Sequence, residues 1–88
     1  MRGVTTASCV HCAGAVARPA VLAWAYGRPV AALCESCVLA DAPAALRRLR
    51  TLVEVRFTDY YEDPAIGYSY RGGPTAELVG DFFVARPA

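Results

Sequence analysis

Four cysteines set in two Cys-x-x-Cys pairs, Cys9/Cys12 and Cys34/Cys37, constrain the fold of this 88-residue chain more than any other feature. Two cysteines separated by two residues can turn both sulfurs toward one ion through a tight knuckle. Two such knuckles supply the four thiolates of a tetrahedral site, with zinc–sulfur bonds of about 2.3 Å. The 21 residues between the pairs lie just beyond the usual spacing of about 15 to 20, which a loop of adjustable length accommodates. One structural zinc ion is therefore the expected cofactor, held by Cys9, Cys12, Cys34 and Cys37. Four thiolates leave no open position for a reacting water, so hydrolytic metal chemistry is not expected.

The alternatives are an iron site, disulfides or free thiols. A rubredoxin-like iron site usually carries Gly after the first pair and Pro-x-Cys-Gly at the second, whereas Cys34-Glu-Ser-Cys37-Val lacks the proline. A thioredoxin-like redox pair needs a βαβ context that this pattern does not offer. The N-terminus has one Arg and no apolar region of signal-peptide type. The longest apolar stretch, residues 13–33, is broken by Arg18, Pro19, Gly27, Arg28 and Pro29, which argues against a membrane span of about 20 residues. A cytoplasmic protein is expected, and in a reducing compartment paired cysteines favour metal over bridges. His11, between the first two ligands, is read as a solvent-facing knuckle side chain.

A chain of this size has little room for a core, and below about 70 to 80 residues one rarely supplies more than roughly 3 to 5 kcal/mol. With 56% apolar and 19% charged residues the chain is expected to fold as a single domain, residues 1–88. Residues 20–26 and 30–33 are apolar runs separated by Gly27-Arg28-Pro29, the signature of a β-hairpin. Leu39, Ala42, Leu46, Leu49 and Val53 then recur at helical spacing, with Asp41 as candidate N-cap and Pro43 in the first turn. Residues 7–53 thus read as knuckle, hairpin and second knuckle leading into a helix. In residues 54–88, alternation at Val53/Val55/Phe57, Ile66/Tyr68/Tyr70 and Leu78/Gly80/Phe82/Val84, with a turn at Gly72-Gly73-Pro74, predicts a three-stranded antiparallel meander. The expected class is a small α+β zinc-binding domain.

That order of elements is a treble clef, and residues 7–50 resemble the N-terminal zinc-binding domain of the ClpX protein unfoldase. The matching features are Cys9-x-x-Cys12 followed by Gly14, the Gly27-Arg28-Pro29 turn, and Leu33-Cys34-Glu35-Ser36-Cys37-Val38 entering a helix. The resemblance implies a structural site in a domain that dimerises and binds adaptors and substrates. ClpX also carries an ATPase with a GxxxxGK[ST] loop, which these residues cannot form because they contain no Lys. What the resemblance implies here is a zinc module that recognises another macromolecule.

Charge is divided along the chain. Residues 1–57 carry seven Arg against three acidic residues, net +4, and residues 58–88 carry two Arg against five, net −3. Four thiolates and a divalent ion would lower the first half to +2 and the whole chain from +1 to −1. That is a weak footprint for a nucleic-acid binder. The candidate partner surfaces are the basic cluster Arg47, Arg48 and Arg50, and the Tyr-rich group Tyr60, Tyr61, Tyr68 and Tyr70 with Arg71. Arg forks suit phosphates, and Tyr and Arg are enriched at protein interfaces. Each has a plainer reading as a solvated helix face and as strand aromatics packed on the helix. With a single His and no plausible Ser, His and Asp set, no catalytic constellation is assembled, and Asp59, Glu62 and Asp63 read as a solvated acidic loop. The expectation is a non-enzymatic zinc protein acting as an interaction module: an adaptor, a regulator or a small subunit of a larger assembly. A protein partner is expected, with no membrane and no small-molecule substrate. The alternatives are a nucleic-acid-associated zinc protein of a transcription or translation complex, and an iron or thiol redox protein.

Overall fold

A computed structural model describes residues 7–16, 18–57, 64–80 and 82. The elements run β1 (Ala7–Ser8), β2 (Ala15–Val16), β3 (Val21–Ala25), β4 (Arg28–Leu33), α1 (Glu35–Arg56), β5 (Ile66–Tyr70) and α2 (Pro74–Val79). Strands β1 and β2 form a small antiparallel hairpin, and a three-stranded antiparallel sheet has the order β4-β3-β5. The chain is thus α+β, as the sequence indicates.

The central hairpin follows from its residues. In β3, Val21, Ala23 and Ala25 are buried while Leu22 and Trp24 are half-buried on the opposite face, the period of two that a strand imposes. Ala25 pairs with Arg28, leaving Tyr26 and Gly27 as a two-residue turn with φ of 54° and 77°. Positive φ at both central positions is what a type I′ hairpin turn requires. The turn therefore falls earlier than the Gly27-Arg28-Pro29 reading, and Arg28 and Pro29 already belong to β4. Proline is tolerated there because β4 is an edge strand and the register shifts beside it, with Trp24 opposite Pro29 but Ala23 opposite Ala31.

Helix α1 is kinked at Asp41, whose φ of −156° and ψ of 78° are not helical. Two residues on, Pro43 has no N–H to donate, so the helical ladder cannot run unbroken through this turn. The Asp41 carboxylate accepts a hydrogen bond from the Ala44 N–H at 3.3 Å, the geometry of an N-cap for the segment beyond the kink. The predicted cap is therefore present, but inside a longer helix. The kink also changes the buried face: Val38, Ala42, Ala45, Leu46, Leu49 and Val53 are buried, while Leu39 is 56% exposed. Leu39 shares its spacing with the later residues in sequence only, since the break at Asp41 shifts its phase.

The predicted meander is not what the second half forms. Val53 and Val55 lie in α1, Val53 buried and Val55 75% exposed. Residues two apart on a helix point to nearly opposite sides, whereas a strand would put both on one face. The helix carries through to Phe57, whose N–H bonds the Val53 carbonyl at 2.8 Å. Leu78 lies in α2, entered from Gly73 at φ 70° with Pro74 opening the helix, a position where proline's fixed φ favours helix and its missing N–H is not needed. The residues that α2 buries are Thr75 and Val79, four apart, with Leu78 turned outward. Val84 lies outside the described residues. Among the described residues of the three predicted strands only 66–70 form one, and β5 joins the opposite edge of the first hairpin, with Ala25 facing Ile66, Ala23 facing Tyr68 and Val21 facing Tyr70. The sheet is three-stranded and antiparallel, but two of its strands come from the segment between the cysteine pairs.

Directly opposed residues of antiparallel strands share a face, so Ile66, Tyr68 and Tyr70 extend the inner surface of Val21, Ala23 and Ala25. Helix α1 packs on that surface, and α2 packs on α1 and β5. Seven of the eighteen buried apolar residues among those described are alanines. The other face carries Trp24 over Gly67, where an added Cβ would stand 2.7 Å from the indole Cζ2.

Candidate metal centre

The first Cys-x-x-Cys forms the turn of the β1–β2 hairpin. Ala7 pairs with Val16 and Ser8 with Ala15, the Cys9 N–H donates to the Gly14 carbonyl at 2.8 Å, and the Ala13 N–H donates to the Cys9 carbonyl at 2.8 Å. Ala13 takes a φ of 65°, a left-handed conformation that costs a residue with a Cβ energy and is retained where the surroundings enforce it. This hairpin lies along the free edge of β4, bound by the Val10 N–H to the Ala32 carbonyl at 3.0 Å. Cys9 is buried, at 2% exposure, and Cys12 is exposed.

The second pair stands at the junction of sheet and helix. Strand β4 ends at Leu33, Cys34 is the N-cap residue of α1 in extended conformation (φ −80°, ψ 157°), and Cys37 sits in the first turn. The N-terminal end of a helix carries the positive pole of its dipole, which favours thiolates placed there.

These two junctions bring all four sulfurs within 4.8 Å of one another. Cys9 Sγ lies 3.8 Å from Cys37 Sγ, and Cys12 Sγ lies 3.8 Å from Cys34 Sγ. A tetrahedral ion with bonds of about 2.3 Å places its ligands about 3.8 Å apart, so these two opposite edges have the size of a tetrathiolate shell. A disulfide needs its sulfurs at about 2.05 Å, and all four cysteines are free. The residues fit a bound metal ion, and sulfur donors select zinc or iron over hard cations.

The environment of Cys9 favours its ionised form. Burial raises its pKa, but the backbone N–H groups of Cys12, Cys34 and His11 direct positive charge at the sulfur and bring it down to about 6. The Cys34 N–H donates to Cys9 Sγ at 3.5 Å. Cys37 is pushed strongly up, by burial first and then by the sulfurs of Cys34, Cys12 and Cys9 around it. Four thiols packed this closely cannot all ionise unless a cation compensates them.

The other sequence candidates separate. Arg47 and Arg48 are exposed on α1. Arg50 is half-buried and bonds the Glu54 carboxylate at 3.0 Å, one turn away. Tyr68 is 5% exposed within the core, and Tyr70 packs against the same core from the inner face of the sheet. The Tyr-rich strand is thus a packing surface. Arg71 is exposed and lies 3.5 Å from the Glu35 carboxylate. Tyr60 and Tyr61, with Asp59, Glu62 and Asp63, lie outside the described residues. A different set was missed: Val10 and His11 of the first knuckle face Arg47, Arg48, Val55 and Arg56 of α1 across a groove. The four-residue step from Leu52 to Arg56 would have shown the helical part of it, had residues 53–57 not been read as a strand.

Among the described residues no helix is long and apolar enough to cross a membrane. No protein-family model, curated protein or solved structure matches this chain.

Proposed function

We propose that this chain is a structural-zinc module of treble-clef type that works by binding another protein, as an adaptor, regulator or small subunit of a larger assembly, and that it catalyses no reaction. The observation that carries the metal part is the packing of the four sulfurs within 4.8 Å of one another, with two opposite edges at the 3.8 Å of a tetrathiolate shell. A hairpin knuckle, a β-hairpin and a second pair entering a helix support the treble-clef reading. A shell filled by four thiolates has no position for substrate, which supports a structural role and moves function to the surface. Metal analysis of protein purified without added zinc tests this: one zinc per chain is expected, together with loss of folded structure on chelation. A coloured, iron-loaded protein, or a metal-dependent turnover, would overturn it.

A further inference from the structure

The face of α1 turned away from the sheet is not a uniformly polar surface. In the segment after the kink, Ala44, Arg48, Leu52 and Arg56 follow one another at intervals of four, with Arg47, Thr51 and Val55 beside them. Together with Val10 and His11 of the first knuckle they line a groove of about 740 Å³. Leu52 and Val10 are half-buried, and Val55 is 75% exposed. An apolar floor is thus left open to solvent along two turns of helix. Its rim is cationic, and among the described residues no acidic one lines it. The ion pairs Arg50–Glu54 and Arg71–Glu35 leave Arg47, Arg48 and Arg56 out. Arg56 is in the last turn, where the helix dipole favours a cation, but Arg47 and Arg48 are two turns further back, and the dipole does not explain them.

Resting on the protein-interaction reading above, we infer that this groove is the docking site and that its occupant is an acidic, amphipathic peptide segment of a partner protein, with aliphatic or aromatic side chains set on Val10, Leu52 and Val55 and carboxylates on the Arg47, Arg48 and Arg56 rim. Charge complementarity specifies the acidic residues: three guanidinium groups, with no carboxylate among the described lining residues, attract carboxylates and repel basic segments. The floor selects between polyanions. A single-stranded nucleic acid is held by stacking aromatics beside its phosphates, and the described lining residues include aliphatic side chains and no Trp, Tyr or Phe. An apolar groove with i, i+4 periodicity is the form that receives an amphipathic segment. One wall belongs to the first Cys-x-x-Cys turn, so the groove adjoins the metal centre.

The test is selection of a random 16-residue displayed peptide library on the intact metal-loaded chain, followed by fluorescence anisotropy with the enriched peptides. Enrichment of sequences combining Asp or Glu with large apolar residues is expected. Arg48→Glu and Val55→Asp are each expected to weaken the enriched peptides by tenfold or more, while Arg71→Glu, away from the groove, leaves them within twofold. Circular dichroism and zinc content of each variant separate loss of the groove from loss of the fold. Enrichment of basic sequences, no enrichment, binding indifferent to Arg48→Glu and Val55→Asp, or tighter binding of a random 20-mer single-stranded oligonucleotide pool would each overturn the inference. A zinc-loaded, folded protein that enriches nothing acidic refutes the groove alone, whereas a folded protein without metal refutes the zinc-module reading.

Discussion

Stability of this chain is expected to rise with the logarithm of free zinc, and the slope can be set in advance. The core visible in the structure is thin: seven of its eighteen buried apolar residues are alanines, and burying a larger aliphatic side chain stabilises by about 1.5 to 3 kcal/mol where a single methyl gives less. Structural zinc in small finger peptides binds with about 10 to 16 kcal/mol, against a net stability of about 5 to 15 kcal/mol for an ordinary domain. The metal term thus equals or exceeds everything else. Above the dissociation constant each tenfold rise in free zinc adds about 1.4 kcal/mol, and for a chain of this length each kcal/mol moves Tm by about 4 to 8 °C. A rise of roughly 6 to 11 °C per decade of buffered free zinc follows. The single tryptophan is well placed to report it. Trp24 lies in β3, paired to β4, which runs directly into Cys34, and its ring rests on Gly67 of β5. Thermal melts followed by tryptophan fluorescence across zinc buffers spanning several decades give the slope. A Tm that stays flat across those decades, or a tryptophan signal unchanged by chelation, would refute a structural metal.

Gly67→Ala is expected to destabilise by about 1 to 3 kcal/mol, because the new methyl would stand 2.7 Å from the Trp24 ring; urea melts of Gly67→Ala alone and combined with Trp24→Val check it, with the penalty falling in the double variant. Asp41→Ala removes the acceptor of the Ala44 N–H and is expected to cost about 1 kcal/mol, while Asp41→Asn restores most of it in the same denaturant assay. Zinc uptake at pH 7 by the already folded chain is expected to release clearly fewer than four protons, since Cys9 with a pKa of about 6 is then mostly ionised, whereas uptake coupled to folding releases close to four. Calorimetry in buffers of different ionisation enthalpy measures the number, with circular dichroism reporting the fold of the zinc-free chain, and a release of four from folded chain would show that Cys9 is not preset as a thiolate. The sign of the accompanying pH effect follows from the lowered pKa: the stabilisation from the N–H groups facing Cys9 is present above the thiol's unfolded value and is lost as pH falls through about 6.

The cysteine pairs were readable because their information is local. Spacing alone brings two sulfurs of a pair together, and a hairpin between the pairs returns the chain to its start, so the four-sulfur cluster is implied by sequence distances. Asp41 was readable for the same reason, since its cap needs only the N–H three residues on. What misled was alternation carried by few residues. Val53, Val55 and Phe57 alternate with charges as a strand would, but Val53 also completes the 42–46–49–53 helical stripe, and burial of that stripe on the sheet decides the conflict. Leu78, Gly80 and Phe82 alternate too, but Gly73 and Pro74 start a helix that takes in Leu78, and burial of Val79 in the core favours it. The place of β5 was not readable. Nothing in residues 66–70 says that their partner is β3, 45 residues earlier by the Val21–Ile66 offset, and Gly67 acquires its role only from the Trp24 ring that lies over it.

The helical state of residues 53–56 shapes the proposed docking groove. As a strand, residues 53–57 would have left the helix near Leu52, and Arg47 and Arg48 would have stood on its last turn, where the dipole alone accounts for cations. As a helix extended to Arg56, the same residues place Val55 and Arg56 one turn beyond Leu52, lengthen the apolar floor and add a third guanidinium to its rim. Arg50, grouped with Arg47 and Arg48 by sequence proximity, instead pairs with Glu54 along the helix. Arg56, eight residues from Arg48, shares its helical period and lines the groove with Arg47 and Arg48. A basic cluster suited to phosphate becomes a longer cationic groove with an aliphatic floor, walled on one side by the metal-bearing turn.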